Sequence, residues 1–294
     1  MTDHERRPAD ILLRRVLQMA AGFAVVLPAA LFAVVLYLGL RPLFNAAGPG
    51  LPDFLSGFEW RPEQRELFGL LPLLSATFVT AVAAVIPAAV VAIPAGLFIV
   101  EQLPVEWNRR VQGFVELSAG IPGVVYGFVG LMVVVPALQN LPGFTDGRSL
   151  AAAVIVLALM CLPTMLMFSI RAFAAVPVSY RQGARSLGAS PLQTTWRVVY
   201  PAARRQIGAG MLMSSIRAGG EAAAVVMVAG NSPQVPAAVS DSIRTMTGTI
   251  LLEMGSAEGV HSDMLFTVGL LLCVMVLAGQ WYASYLGNPK GRIW

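Results

Sequence analysis

The chain has 294 residues, 56% of them apolar and only 12% charged, with a formal charge of +4 and a mean hydropathy of +0.71. A soluble domain carries about 25% charged residues, so this composition excludes a disordered chain, a secreted disulfide scaffold and a free nucleic-acid binder. An integral membrane protein is what remains.

Crossing a bilayer core takes about 20 mostly apolar residues. Six stretches qualify: Val16 to Leu40, Leu70 to Val100, Val111 to Leu138, Leu150 to Ile170, Ile207 to Gly230 and Met264 to Gly287. The first lacks a small-residue cleavage site before a polar region, so it is expected to be a retained span. The second is long for one straight helix and holds Pro72, Pro87 and Pro94, which predicts an interfacial turn at its start and bends further on. The expected organisation is an all-α membrane domain over residues 16–287, with tails at 1–15 and 288–294.

Arginine sets the sidedness. With six spans, one side holds both termini and Arg6, Arg7, Arg14, Arg15, Arg109, Arg110, Arg171, Arg181, Arg185, Arg197, Arg204, Arg205, Lys290 and Arg292. The other holds only Arg41, Arg61, Arg65, Arg148 and Arg244, beside acids that include Asp53, Glu59, Glu63, Glu66, Asp241, Glu253 and Glu258. Both termini are therefore expected in the cytoplasm.

The third stretch holds Glu116, which reads as an end-of-span residue that snorkels or pairs with Arg109. Gly120, Pro122, Gly123 and Gly127 follow and are expected to interrupt or narrow that helix. Cys161 and Cys273 sit in apolar runs without a CxxC partner and read as inert thiols.

The fourth loop, residues 171–206, holds arginines from Arg171 to Arg205 and no acid. Pro177 and Ser179 start a short helix that Gly188 ends. Ser190-Pro191-Leu192-Gln193 reads as a second start with a capping box, and Pro201 as its stop. Tyr180, Ala184 and Leu187 share one helical face, as do Leu192, Trp196 and Val199. Such helices suit either a lipid surface or a soluble partner.

The fifth stretch contains Arg217 and Glu221, spaced i, i+4 around Gly219 and Gly220. An ionisable residue inside a span is a functional candidate by default. On one helix face the two would pair, either as a self-neutralising structural pair or as a site where an arriving anion competes for the arginine's planar fork. Residues 231–262 are too polar to cross and form an external loop, with Met246, Ile250 and Met254 suggesting a short helix.

The runs VSYRQGARSLGAS (178–190) and WRVVYPA (196–202) resemble the EAA loop of ABC importer permeases, in which short helices insert into a groove on the ATPase subunit. Gly188 and Pro201 match that motif's glycine and proline, while Gln182-Gly183-Ala184 stands where the family reads Glu-Ala-Ala. The resemblance marks Tyr180, Gln182, Gly183, Ala184, Leu187, Gly188, Trp196 and Pro201 as coupling residues. RAGGEAAAVVMVAGN (217–231) resembles the phosphate permease signature RAxGETMAVxMVAGN, with Ala222-Ala223 in place of Thr-Met. AGIPGVVYG (119–127), Arg244 to Ile250, Glu253 to Gly255 and His261 with Leu265-Phe266 are similar to the same PstC-type subunits.

That resemblance implies a type I importer permease with six spans in the bacterial inner membrane. It implies half of a phosphate pore, with Arg217, Glu221, Gly219 and Gly220 on the substrate path. The implied partners are a PstA-type second permease, two cytoplasmic ATP-binding subunits and an external phosphate-binding protein. The chain's one lysine precedes Gly291, so it has no Walker loop of its own. With histidine limited to His4 and His261, no metal or cofactor site is expected. Another oxyanion or a phosphonate would suit the same arginine, and an ion-coupled secondary transporter is the reading from another class.

Overall fold

Apolar residues that cover every side of a helix leave it no aqueous face, and the longest helices here are of that kind. The computed structural model describes residues 8–44, 50–62 and 66–287. Arg6, Arg7, Glu63, Arg65, Lys290 and Arg292 lie outside the described residues, as do the first part of the expected 1–15 tail and all of 288–294. Among the described residues, four helices are long and apolar enough to cross a membrane, and a bent pair makes a fifth candidate.

The first helix, α1 (Pro8–Phe44), packs against the last helix near its end. There Thr267 Oγ1 donates to Gly39 O at 2.8 Å, and a side chain on Gly39 would come within 2.8 Å of Phe266 O. A short helix α2 (Leu51–Ser56) and a two-residue hairpin, β1 (Trp60–Arg61) with β2 (Leu67–Phe68), follow. They bury Phe54, Trp60 and Phe68 against Met246, Met264 and Leu265.

The second span is one helix, α3 (Leu71–Glu101), without the interfacial turn expected at its start. Pro72 sits in its first turn, where a backbone N–H has no partner to lose. Ala76, Thr80, Ala84, Ala88, Ala92 and Gly96 recur every fourth residue and are all buried. This stripe of small residues lets α3 lie close against α6 (Leu150–Ala174), where a Cβ on Gly96 would meet Ser169 Cβ at 2.7 Å. Ser149 caps α6 by accepting from Ala152 N at 3.3 Å.

The third stretch is not one straight span. Helix α4 (Val105–Ala119) and helix α5 (Gly123–Gln139) meet at 84° across Gly120 to Pro122. Proline disfavours helical backbone at the residue before it, here Ile121, so the break falls at the expected place. Glu116 lies exposed on α4, and among the described residues it forms no ion pair with Arg109.

The fourth loop folds into α7 (Val178–Ser186), α8 (Pro191–Thr194) and a π turn over Thr195–Val199 that runs straight into α9 (Tyr200–Gly219). Pro201, expected to end the second short helix, does not. Pro201 directly follows the π turn, whose wider i→i+5 pattern accommodates a residue without a backbone N–H, so the helix continues into α9. The fifth stretch breaks at Gly220 to Ala222 before α10 (Ala223–Val228). The remaining helices are α11 (Met246–Glu253) and the last span, α12 (Gly259–Gly287).

Candidate functional site

The break in the fifth stretch decides how its two ionisable residues are placed. Helix α9 ends at Gly219, so Arg217 is on its last turn while Glu221 is beyond its end. Two glycines in succession weaken a helix by about 1 kcal/mol each relative to alanine. The i, i+4 pairing expected for an unbroken helix is therefore not formed: among the described residues, Arg217 and Glu221 make no ion pair.

Each charge instead meets a helix end of suitable polarity. The Arg217 guanidinium is exposed and reaches Ala119 O at 3.4 Å, one of the carbonyls left without a partner at the end of α4. Glu221 Oε1 accepts from Ala224 N at 3.2 Å and so caps the start of α10. Its carboxylate also rests against Gly123, the first residue of α5, where an added Cβ would lie 2.5 Å from Oε1. Gly127 is similarly constrained, with Ala224 Cα 2.7 Å from where its Cβ would be. Gly123 and Gly127 of the third stretch thus admit Glu221 and Ala224 of the fifth, and the exposed arginine stands at the junction.

Helix α11 supplies a further contact. Thr247 Oγ1 donates to Glu221 O at 2.9 Å, and Met246 N donates to Thr77 Oγ1 at 2.9 Å. Of the expected substrate-path residues, Gly219 and Gly220 serve as the break. Cys161 is buried nearby, its thiol 3.7 Å from Ser214 O, while Cys273 is half-buried.

At the opposite end of α11, Glu253 joins three elements. Its Oε1 pairs with Arg244 at 2.5 Å, and its Oε2 takes Trp60 Nε1 and His261 Nε2, each at 2.9 Å. Arg244 Nε also donates to Asn231 O at 2.7 Å. Glu253, Arg244, Trp60 and Asn231 border a cavity of about 760 Å³ that Arg61 and Ser256 also line. In the adjoining loop, Asp241 accepts from Ala237 N and Ala238 N, which holds its carboxyl below the usual carboxylate range. We expect Glu253→Gln to lower stability by about 1–3 kcal/mol, since Arg244 would lose its counter-charge in a partly enclosed position. Thermal unfolding of the purified protein checks this, and an unchanged transition would contradict it.

The fourth loop presents apolar side chains to the outside. Leu187 is 90% exposed, Tyr180 54% and Trp196 52%, with Leu192 also exposed. Ala184 is half-buried, and Gln182 and Gly183 are exposed. Val199, expected on the face of Leu192 and Trp196, is fully buried, because it ends the π turn, whose wider winding shifts it off that face. The capping box is formed in full, with Gln193 N on Ser190 Oγ at 3.2 Å and Ser190 N on Gln193 Oε1 at 3.0 Å. Gly188 has φ +83°, the left-handed conformation that glycine adopts without strain.

One anchoring residue of this loop is not apparent from the loop itself. Arg181 pairs with Glu101, the last residue of α3, at 2.9 Å, with side-chain exposures of 15% and 9%. Its guanidinium also donates to Phe173 O at 2.9 Å and to Val176 O. The available signal was an isolated acid at the arginine-rich end of the second apolar stretch.

Residues 92–287 match the family model described as binding-protein-dependent transport system inner membrane component. The chain is 35% identical over 99% of its length to the probable ABC transporter permease protein YqgH of Bacillus subtilis, 95% of which is covered. It is 29% identical to the phosphate transport system permease protein PstC of Mesorhizobium japonicum, covering 96% of this chain and 94% of that one. The PstC of Pasteurella multocida is 28% identical, with coverages of 90% and 87%. Among solved structures, the chain resembles one from a bacterial ABC transporter involved in import of the acidic polysaccharide alginate, with a TM-score of 0.56, 15% identity and coverages of 96% and 99%. A second is from the inward-facing MetNI methionine ABC transporter, with a TM-score of 0.54, 19% identity and coverages of 75% and 97%.

Proposed function

This chain belongs to the family of binding-protein-dependent transport system inner membrane components, and from that premise we propose that it forms half of a pore carrying inorganic phosphate into the cytoplasm. Its fold is the all-α fold of ABC importer permeases, and it acts as a permease subunit. The observation that carries the phosphate reading is Arg217, an exposed guanidinium held where the fifth apolar stretch meets the bend between α4 and α5. Its planar fork suits a tetrahedral oxyanion and stays charged at any working pH. The PstC names of two relatives support the same substrate. Binding by one such group is weak enough to allow release, as a transport path requires.

The remaining parts follow from this reading. A second, PstA-type permease completes the pore across the face that carries Arg217. Two ATP-binding subunits supply the energy and meet the fourth loop through Tyr180, Leu187, Leu192 and Trp196, whose exposure supports docking. An external phosphate-binding protein delivers substrate at the end that carries α2, the hairpin and α11. Six passes place both termini in the cytoplasm, with α4 and α5 as one broken pass and α9 and α10 as another.

Uptake of labelled phosphate into vesicles, with sulfate as competitor, tests the substrate. Inhibition by sulfate equal to that by unlabelled phosphate would contradict the assignment. For the orientation, a cysteine at Gln193 is expected to react only from the cytoplasm and one at Ala237 only from outside. The reverse pattern would overturn the sidedness. For the coupling loop, Gly188→Ala is expected to strain the turn by about 1–2 kcal/mol, although nothing lies within 4 Å of the added methyl. ATP-driven uptake should then fall in the order glycine, Gly188→Asn, Gly188→Ala, with assembly retained, because asparagine tolerates this conformation better. Equal uptake by all three would show that the turn is not needed for coupling.

A further inference from the structure

At the arginine-rich end of the molecule, α6, α9 and α12 leave a groove of about 380 Å³ between them. Phe168, Ala175, Gly210 and Met213 give it apolar walls, and Arg171 and Gln206 are its polar lining. The phenylalanine lies so close over Gly210 that a Cβ there would meet Phe168 Cβ at 2.7 Å. Arg171 is exposed, and among the described residues its guanidinium has neither an ion pair nor a hydrogen bond. The end of α12 beside the groove carries Trp281, Tyr282 and Tyr285, all exposed, with Trp281 and Tyr285 stacked at 6.4 Å. Exposed Trp and Tyr on a spanning helix mark the depth at which hydrocarbon gives way to headgroups.

We propose that this groove is a binding site for an anionic phospholipid. One acyl chain fills the apolar channel, and the headgroup phosphate takes charge-assisted hydrogen bonds from Arg171, with Gln206 beside it. The combination needs both halves of such a ligand. A free anion would leave the walls of Phe168, Met213 and the alanines unfilled, and a zwitterionic lipid, whose phosphate can also reach Arg171, would bring its own quaternary ammonium beside the same guanidinium. The site depends on the chain spanning a bilayer and is independent of the substrate that the pore carries.

The test uses full-length protein in mild detergent with equal amounts of phosphatidylglycerol and phosphatidylcholine, and native mass spectrometry to count the lipid retained. Phosphatidylglycerol should be retained about five-fold over phosphatidylcholine, the effect of one basic side chain near an anionic headgroup. Arg171→Gln should abolish that preference, whereas Arg197→Gln, an exposed arginine outside the groove, should preserve it. Ala175→Phe, which fills the channel from an exposed position, should lower retention of both lipids. Excess inorganic phosphate should leave the bound lipid in place. Equal retention of the two lipids, an equal loss with Arg197→Gln, no change with Ala175→Phe, or displacement by phosphate would each overturn the proposal. Phosphate uptake enters none of these readouts, so the lipid site and the transport reading fail or stand separately.

Discussion

Arg217→Ala is expected to reduce phosphate uptake by about ten- to a hundred-fold, the value of a hydrogen bond to a charged group, while the protein still assembles in the membrane. Both halves of this expectation follow from the geometry. The guanidinium is exposed and makes one long contact, to Ala119 O at 3.4 Å, so its removal disturbs little packing. Glu221 makes no ion pair with Arg217, and its Oε1 already accepts from Ala224 N–H. A substitution of this kind changes stability by roughly 0.5 kcal/mol or less. Arg217→Lys keeps the charge and loses the fork, and should fall between the alanine variant and the wild type. Gly123→Ala offers a complementary test from the other side of the junction. Its methyl would occupy space 2.5 Å from Glu221 Oε1, so the carboxylate has to move while the backbone can stay. Uptake measured in vesicles at matched expression decides the matter. Normal uptake by Arg217→Ala would remove this residue from the phosphate path.

Glu101→Ala is expected to release the arginine-rich loop from the end of α3. Arg181 would then be left partly enclosed without its counter-charge, at a cost of roughly 3 kcal/mol, the lower end for a broken buried pair. The remaining contacts of Arg181, to Phe173 O and Val176 O, hold it to the end of α6 and not to α3. Motion of α3 would no longer be tied to α7, and ATP-driven uptake should fall even though the loop's exposed docking residues are untouched. Trypsin should cut the loop near Arg181 and Arg185 faster than in the wild type. Wild-type rates of both cleavage and uptake would show that the ion pair does not brace the loop.

Much of the fold was legible because its signals are local. Ser190 and Gln193 form a capping box from four consecutive residues, and Ile121-Pro122 breaks a helix through a clash between neighbours. Pro201 and Val199 were misread for a reason that is also local but less visible: a π turn changes the residue count per turn, and hydrophobic spacing alone does not reveal it. The candidate site was only half legible. An arginine and a glutamate inside an apolar stretch stand out on cost alone, but their relation to each other depended on whether the helix between them continued.

The sequence by itself determined the membrane class, the apolar stretches, the arginine asymmetry, the caps of the loop helices and the presence of an arginine and a glutamate in the fifth apolar stretch. Each of these depends on composition or on residues within about one helical turn of each other. Only the tertiary structure decided that Arg217 turns to the end of α4, that Glu221 caps α10 against Gly123, that Thr247 bonds the Glu221 carbonyl, and that Arg181 finds Glu101. The physical reason is separation along the chain. Arg217 and Ala119 are 98 residues apart, and Arg181 and Glu101 are 80 apart. Such pairs form only where packed helices bring them within reach, and the small-residue stripe of α3 against α6 and the glycines of α5 set that packing.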